Sequence, residues 1–499
     1  MNIIFKIALL SMLPFLPASA EDTTVIKGGT VMDGSGNAGI IQDVRISGDT
    51  ITAIGQITPR AGDKVIDATG LMLSPGFIDT HSHHDGGLIE NPHATAALSQ
   101  GITTIVVGND GGSENTTDAL KAMMANNPIA INIASYTGHG TIRAQVMGDD
   151  YKRHATPTEI DAMKAILETE MLAGSLGLST GLEYDPGIYS DRSEIIELAK
   201  VAAKHGGRYI SHMRSEDRFV DASIDEILQI GKEANIPVQI SHFKLASSEI
   251  WGQAPRILKR LDHARANGID VTADIYPYTY WESNLTVVLP DRNFDDVEAM
   301  QYVLDKLTPA DGFTLTSYPL DPSLVGKNIA EIAKIRGQGE AQTYLQLIND
   351  ANKASKNGGD NTGVLGKSMS EDDIKVLMAW PHTNICSDGG IQGHPRGHGA
   401  FARAIHRYVK QLGITDIQTM IHKMTALSAS HVGIKDRGLI KVGMKADLVL
   451  FNYDTIEDKA TIKQSNALAT GIVNTWVNGK LVWTNSKPQS GGAGVHISR

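Results

Sequence analysis

Phe77-Ile78-Asp79-Thr80-His81-Ser82-His83 is an apolar run closed by two histidines, and its pattern recurs along the chain. Asp110 follows Thr104-Ile105-Val106-Val107-Gly108-Asn109. His212 follows Tyr209-Ile210-Ser211, His242 follows Val238-Gln239-Ile240-Ser241, and Asp388 follows Asn384-Ile385-Cys386-Ser387. Short apolar runs alternating with helical segments are the signature of a parallel β/α sheet. Candidate metal ligands at the ends of several such strands point to one site at the C-terminal face of a barrel. Metal-dependent hydrolysis is the chemistry that such a site suits.

Working outward, candidate strands fall at 73–80, 102–108, 130–136, 175–180, 207–212, 237–242, 269–275 and 383–388. Eight is the number a closed (β/α)8 TIM barrel needs. Between them, Thr158 can cap a helix carrying Ile160, Met163, Ile166 and Leu167 at helical spacing, and Ser193 can open another through Ile195, Ile196, Leu198 and Val201. About 110 residues separate the last two strands, far beyond a usual connection. Residues 286–345 are therefore expected to form an inserted subdomain, with Asn357-Gly358-Gly359-Asp360-Asn361 a flexible loop after it. Residues 24–73 and 438–484 both read as short strands with glycine turns, and Asn478-Gly479 is a hairpin signal. The expected architecture is α/β: a metal-dependent barrel over 74–436, and a small β-sandwich domain built from 21–73 and 437–499.

Composition narrows the partners. The chain has 499 residues and a formal net charge of −11, with no basic run. Phosphate contacts need clustered Lys and Arg, so nucleic acid is not an expected partner. Residues 1–20 read as a secretory signal: Lys6 supplies the charge, Ile7 to Phe15 is largely apolar, and Ala18-Ser19-Ala20 is a cleavage site before Glu21. The apolar run is too short to span about 30 Å of hydrocarbon. Cys386 is the only cysteine, which rules out an intramolecular disulfide and a Cys-based zinc cluster. The expectation is an exported protein, periplasmic or secreted, soluble after cleavage and without stable membrane insertion.

Each chemical residue also has a plainer reading. His81 and His83 lie at i and i+2, so on a strand they face the same way and can meet one cation; they can equally be surface histidines. His212 and His242 gain meaning together, being 30 residues apart, close to one β/α repeat, each after a Ser. Asp110, in Gly108-Asn109-Asp110-Gly111-Gly112, is either a turn residue or a carboxylate bridging two cations, and both readings stand. Asp388, in Ser387-Asp388-Gly389-Gly390, suits a turn, or a proton shuttle. A bound metal lowers the pKa of water to about 7, and Asp388 can take that proton and pass it to a leaving amine. Arg396, in His394-Pro395-Arg396, offers a planar fork to a carboxylate. Lys244 adds a second positive charge near His242, and Tyr276 a hydroxyl near the seventh strand.

Taken together and in order, these motifs resemble the amidohydrolase superfamily, and within it the D-aminoacylases, or N-acyl-D-amino-acid deacylases. The resemblance rests on Ser74-Pro75-Gly76-Phe77-Ile78-Asp79-Thr80-His81-Ser82-His83, Gly138-His139-Gly140-Thr141-Ile142-Arg143, Ser211-His212-Met213-Arg214, Ser241-His242-Phe243-Lys244, Tyr276-Pro277-Tyr278, Ser387-Asp388-Gly389, His394-Pro395-Arg396 and Lys441-Val442-Gly443-Met444-Lys445-Ala446-Asp447-Leu448. It covers most of the mature chain. It implies the barrel with its two-ended β domain and an insertion before the last barrel strand. It further implies that His81, His83 and Asp388 hold one metal, that His212 and His242 hold a second, more tightly bound zinc, and that Lys244, Tyr276 and Arg396 grip the substrate carboxylate.

Two departures from the family pattern stand out. Where the family commonly has a metal-ligating Cys after Val-Val-Gly-Asn, this chain has Asp110, a harder ligand that suits Zn2+, Mn2+ or Co2+ and can bridge through two oxygens. Where the family often has Ala-Gly-Ser-Thr, this chain has Tyr280-Trp281-Glu282-Ser283-Asn284, a bulkier and charged segment expected to line the substrate pocket. The resulting expectation is an exported enzyme with one or two Zn2+ that cleaves N-acyl-D-amino acids to a D-amino acid and a carboxylate. An exported dipeptidase, cyclic amidase or lactonase would use the same scaffold, and a noncatalytic binding protein is the alternative from another class.

Overall fold

The computed structural model describes residues 23–354, 362–489 and 491–499. The expected signal at 1–20 and the expected loop at 357–361 lie outside the described residues.

The centre of the molecule is two arcs of parallel strands. One runs Phe77–Asp79, Ile102–Val107, Asn132–Ser135, and the other Thr137–Gly138, Gly177–Gly181, Arg208–His212, Val238–Ile240, Val271–Ile275, Thr383–Ile385. Each of the eight stretches read as strands overlaps one of these. Only Tyr136 separates Asn132–Ser135 from Thr137–Gly138, and its N–H donates to Val107 O at 2.9 Å. At the other end, Asp388 N–H donates to His81 O at 2.8 Å and His83 N–H to Gly389 O at 3.0 Å. Ile102–Val107 is buried at every position, as a strand covered on both faces must be.

The helices between strands bury apolar stripes against this centre, and two caps differ from expectation. Helix Pro157–Ala173 is capped by Thr156, not Thr158. Thr156 Oγ1 accepts the Glu159 N–H at 3.3 Å while Glu159 Oε2 accepts the Thr156 N–H at 2.7 Å, a reciprocal capping box. Pro157, whose φ suits the first helical position, moves the start forward. Helix Arg192–Lys204 is likewise capped by Asp191 rather than Ser193.

Both ends of the chain pair in one nine-stranded sheet. Met72–Pro75 runs antiparallel to Leu448–Phe451 and joins the strands before it to those after it. This places residues 73–75, read above as the start of the first barrel strand, in the terminal sheet. Pro75-Gly76 breaks the run between the two sheets. Ile26, Val44, Leu73, Leu448 and Trp476 form that sheet's own core, and Asn478-Gly479 makes its hairpin turn with φ of 47° and 76°. Residues 493–497 leave the sheet: Ala493 N–H donates to Ile129 O at 3.1 Å and Ile497 N–H to Ile133 O at 2.8 Å. The long connection between the last two parallel strands carries a further sheet that overruns 286–345. This antiparallel sheet, ordered Trp281–Ser283, Gly363–Gly366, Phe313–Ser317, begins before that span and ends after it. Strands of three to five residues leave little period to read.

Asp447 ties the terminal sheet to the parallel strands. Its Oδ1 accepts the Asn478 N–H at 2.6 Å, and its Oδ2 accepts from Asn132 Nδ2 at 2.9 Å and pairs with Arg437. Both charged groups are buried. Asp447→Ala takes from the buried Arg437 its buried carboxylate and leaves it the half-exposed Asp436 at 3.4 Å, so the chain should lose about 3–5 kcal/mol. Urea denaturation checks this; a loss below about 1 kcal/mol would show that the clasp is dispensable.

Candidate metal centre and active site

The strand ends bring all six expected ligands together around Asp110. Its Oδ2 lies 3.1 Å from His81 Nε2 and 3.2 Å from His83 Nε2. Asp388 Oδ1 lies 3.5 Å and 3.4 Å from the same two nitrogens. The other oxygen, Asp110 Oδ1, lies 3.4 Å from His242 Nε2, which is 2.9 Å from His212 Nδ1.

The backbone presents these groups at a cost. Asp110, His242 and Asp388 have φ of 52°, 34° and 48°. Left-handed backbone outside glycine costs about 1–3 kcal/mol each and clusters at functional sites. After Asp388, Gly389 is required: a Cβ there would lie 2.4 Å from Gly397 Cα.

Buried carboxylates behind the site hold the strand ends in place. Asp79 accepts the Ser387 N–H at 2.8 Å and the Ser387 hydroxyl at 2.5 Å, fixing the first strand end to the last. Burial pushes Asp79 up to about 7, against the pull of these two donors. Asp274 accepts the His242 N–H at 2.6 Å and the Cys386 thiol at 3.1 Å. Burial pushes that thiol well above its usual range, so Cys386 is a packing residue.

Two glutamates that sequence reasoning missed stand beside the histidines. Glu183 Oε2 lies 2.9 Å from His212 Nε2, and Glu216 Oε1 lies 3.0 Å from His242 Nδ1. Carboxylates in such places orient imidazole ligands. Burial opposes ionisation of Glu216, but Lys244, His242 and His212 together outweigh it and draw the group down to about 2. Glu183 follows Ser179-Thr180-Gly181-Leu182, and Glu216 follows Ser211-His212-Met213-Arg214-Ser215. Each sits a few residues past a strand end, which is the one signal that could have found them.

The expected carboxylate clamp is assembled next to the ligands, and its cations are already engaged. Lys244 Nζ donates to Glu216 Oε2 at 2.6 Å and lies 2.7 Å from His242 Nδ1. Arg396 Nη1 donates to Asp388 Oδ2 at 2.5 Å. Both cations lie over the Tyr276 ring, at 5.9 Å for Lys244 Nζ and 4.6 Å for the Arg396 guanidinium carbon. The Tyr276 hydroxyl is buried without a hydrogen-bond partner among the described residues. Burial works against ionisation of Asp388, but Arg396 and the histidines hold it far below the usual carboxylate range. His84 and His394 are structural: His84 Nε2 meets Gly397 O at 2.7 Å, and His394 Nε2 meets Tyr280 O at 2.8 Å.

The donor set fits metal ions. A tetrahedral zinc with ligands at about 2.0–2.2 Å separates its donors by about 3.3–3.6 Å, and the four spacings from Asp110 Oδ2 and Asp388 Oδ1 to His81 Nε2 and His83 Nε2 run from 3.1 to 3.5 Å. Asp110 Oδ1 is buried with no hydrogen-bond partner among the described residues, an orphan that a second cation between His212 and His242 would satisfy. Imidazole and carboxylate donors suit Zn2+, with Mn2+ or Co2+ also accommodated. A cavity of about 310 Å3 opens over His83, Asp110, His242, Lys244, Asp388 and Arg396.

Comparison with known proteins agrees with this chemistry. The amidohydrolase family model matches residues 64–309 and 322–483. A D-aminoacylase of Alcaligenes xylosoxydans xylosoxydans is 34% identical over 92% of this chain and 94% of its own length. A solved D-aminoacylase, described by one-metal activation and second-metal attenuation of a binuclear centre, is 32% identical with a TM-score of 0.84, covering 95% of this chain and 99% of that one. The N-acyl-D-glutamate deacylase of Bordetella bronchiseptica, solved with zinc and a phosphonate mimic of the tetrahedral intermediate, is 30% identical with a TM-score of 0.85, covering 96% and 100%.

If Asp110 bridges two sites, zinc-loaded protein should carry two ions per chain after dialysis and Asp110→Ala one or fewer. Metal analysis by mass spectrometry checks this. Equal stoichiometry in the two proteins would remove Asp110 from the ligand set.

Proposed function

This chain belongs to the amidohydrolase family, and from that premise we propose that its active site is the cluster around Asp110 and its reaction the deacylation of N-acyl-D-amino acids. It is a hydrolase of amide bonds, of the N-acyl-D-amino-acid deacylase type. One observation carries the site assignment: metal-type donors from several strand ends converge within ligand spacing, directly beside two buried cations and a tyrosine hydroxyl. The two arcs of strands are read as one closed eight-stranded barrel with its site at the C-terminal face, and the nine-stranded sheet as a separate terminal domain. With residues 1–20 as an export signal, the enzyme works outside the cytoplasm.

His81, His83, Asp110 and Asp388 would hold one metal, and Asp110, His212 and His242 the other. A metal bound there polarises the amide carbonyl and acidifies water. The rest is the work of side chains. Arg396, Lys244 and Tyr276 take the α-carboxylate, which fixes the scissile bond and removes most of the orientational freedom of the reaction. Asp388 accepts a proton from the attacking water. Carbon–nitrogen cleavage then leaves a basic amine, to which Asp388 returns the proton. Arg396 touches Asp388 directly, so the anchor and the proton carrier share one guanidinium. Glu216 positions Lys244 as well as His242.

Amine release from paired N-acetyl-D- and N-acetyl-L-amino acids tests the reading. D substrates alone should react, and Asp388→Asn should lower kcat by about 10²–10⁴-fold. Release from neither enantiomer by zinc-loaded protein would overturn it. Arg396→Ala should abolish work on N-acyl amino acids; if a lactone were cleaved equally well by both proteins, the site would be a lactonase.

A further inference from the structure

The cavity has walls beyond the metal cluster and the clamp, and their chemistry is one-sided. Val287, Val288 and Leu307 make an apolar face, while the charged groups on the remaining wall are the carboxylates of Glu183, Asp217 and Glu282. Apart from the ligand histidines, the cations lining the cavity among the described residues are Lys244 and Arg396. Both are needed for the α-carboxylate in the proposed reaction. A second carboxylate on the substrate, whether on the side chain or on the acyl group, therefore meets no free cation and faces like charge.

Glu282 is the fixed member of this wall. It lies on strand Trp281–Ser283, paired with Gly363–Gly366, and its Oε2 accepts the His394 N–H at 2.8 Å. A Cβ on Gly393 would lie 2.0 Å from Glu282 Oε1, so the carboxylate is packed against that glycine's backbone. Trp281 Nε1 donates to Ser368 Oγ at 2.7 Å and secures the same strand. The carboxylate is thus held by the backbone of His394, two residues before Arg396 in the chain, where it lines the cavity.

We infer that this site selects N-acyl-D-amino acids with uncharged or basic side chains and excludes the acidic ones, and that Glu282 sets much of that discrimination. The inference rests on the deacylase reading and narrows its substrate class. Exclusion follows because a desolvated carboxylate without a partner is rejected more strongly than a mismatched apolar group.

The test is kcat/KM for N-acetyl-D-leucine, N-acetyl-D-lysine, N-acetyl-D-aspartate and N-acetyl-D-glutamate, on zinc-loaded enzyme, Glu282→Gln and Glu282→Lys. In the wild type the acidic pair should fall at least about 100-fold below leucine. Glu282→Gln should narrow the leucine-to-glutamate ratio by about fivefold or more and Glu282→Lys further, mainly through KM for glutamate. Glutamate within about threefold of leucine in the wild type would overturn the inference and leave the deacylase standing. An unchanged ratio in both variants at wild-type metal content would remove Glu282 from the discrimination. No turnover of any of the four would overturn the deacylase reading and this inference with it. The wild-type ratio alone decides the exclusion, so a variant that fails to fold does not leave it open.

Discussion

The Asp110 carboxylate is one group with two oxygens, and each faces a different set of histidines. Around it, carboxylates and imidazoles crowd to within hydrogen-bond or ligand distance in a mostly buried place, with His83 on its exposed side. Such a concentration of lone pairs persists only where positive charge offsets it. In this account two cations do so, and the left-handed backbone at Asp110, His242 and Asp388 is the strain accepted to aim the ligands. Everything else in the site is arranged from that centre outward. Asp79 and Asp274 fix the strand ends, Glu183 and Glu216 stand behind the histidines, and Lys244 and Arg396 sit where an anion could replace their present partners.

This arrangement depends on the parallel strands being rigid and on their ends lying close together. The hydrogen bonds from Asp388 to His81 and from His83 to Gly389 join the first strand end to the last. They put Asp388, more than 300 residues away in sequence, beside the two histidines of the first strand. The same strand ends carry the clamp, because Tyr276 directly follows the strand Val271–Ile275 and Lys244 lies four residues past the strand Val238–Ile240. Asp447 and its buried partners then hold the terminal sheet against Asn132, on the strand after that of Asp110.

Much of this was legible in the sequence because a buried parallel strand is a short, nearly continuous apolar run, and the polar residue that ends it is conspicuous. That logic located the six ligand candidates, and the family resemblance supplied the clamp roles of Lys244, Tyr276 and Arg396. It failed where the signal is local or short. Thr156 and Asp191 cap helices for which Thr158 and Ser193 had been expected: a capping box and Pro157 fix the first start, and Asp191 accepting the Glu194 N–H fixes the second, each only two residues from the residue expected. The strands in the long connection are too short to show a period, so the sheet that overruns 286–345 was not legible. Glu183 and Glu216 lie in loops, where an acidic residue is ordinary until the fold puts it against a histidine. The two readings of Asp110, turn residue and bridging ligand, prove compatible: it has the left-handed backbone of a turn and a side chain aimed into the cluster.

The departure of this chain from the usual family thiolate therefore sits at the centre of the account. Anomalous diffraction at the zinc edge, from crystals of zinc-loaded protein, tests it most directly. Two peaks are expected, one among His81, His83 and Asp388 and the other between His212 and His242, with one oxygen of Asp110 against each. A single peak with the Asp110 side chain turned away, or zinc bound elsewhere, would contradict it.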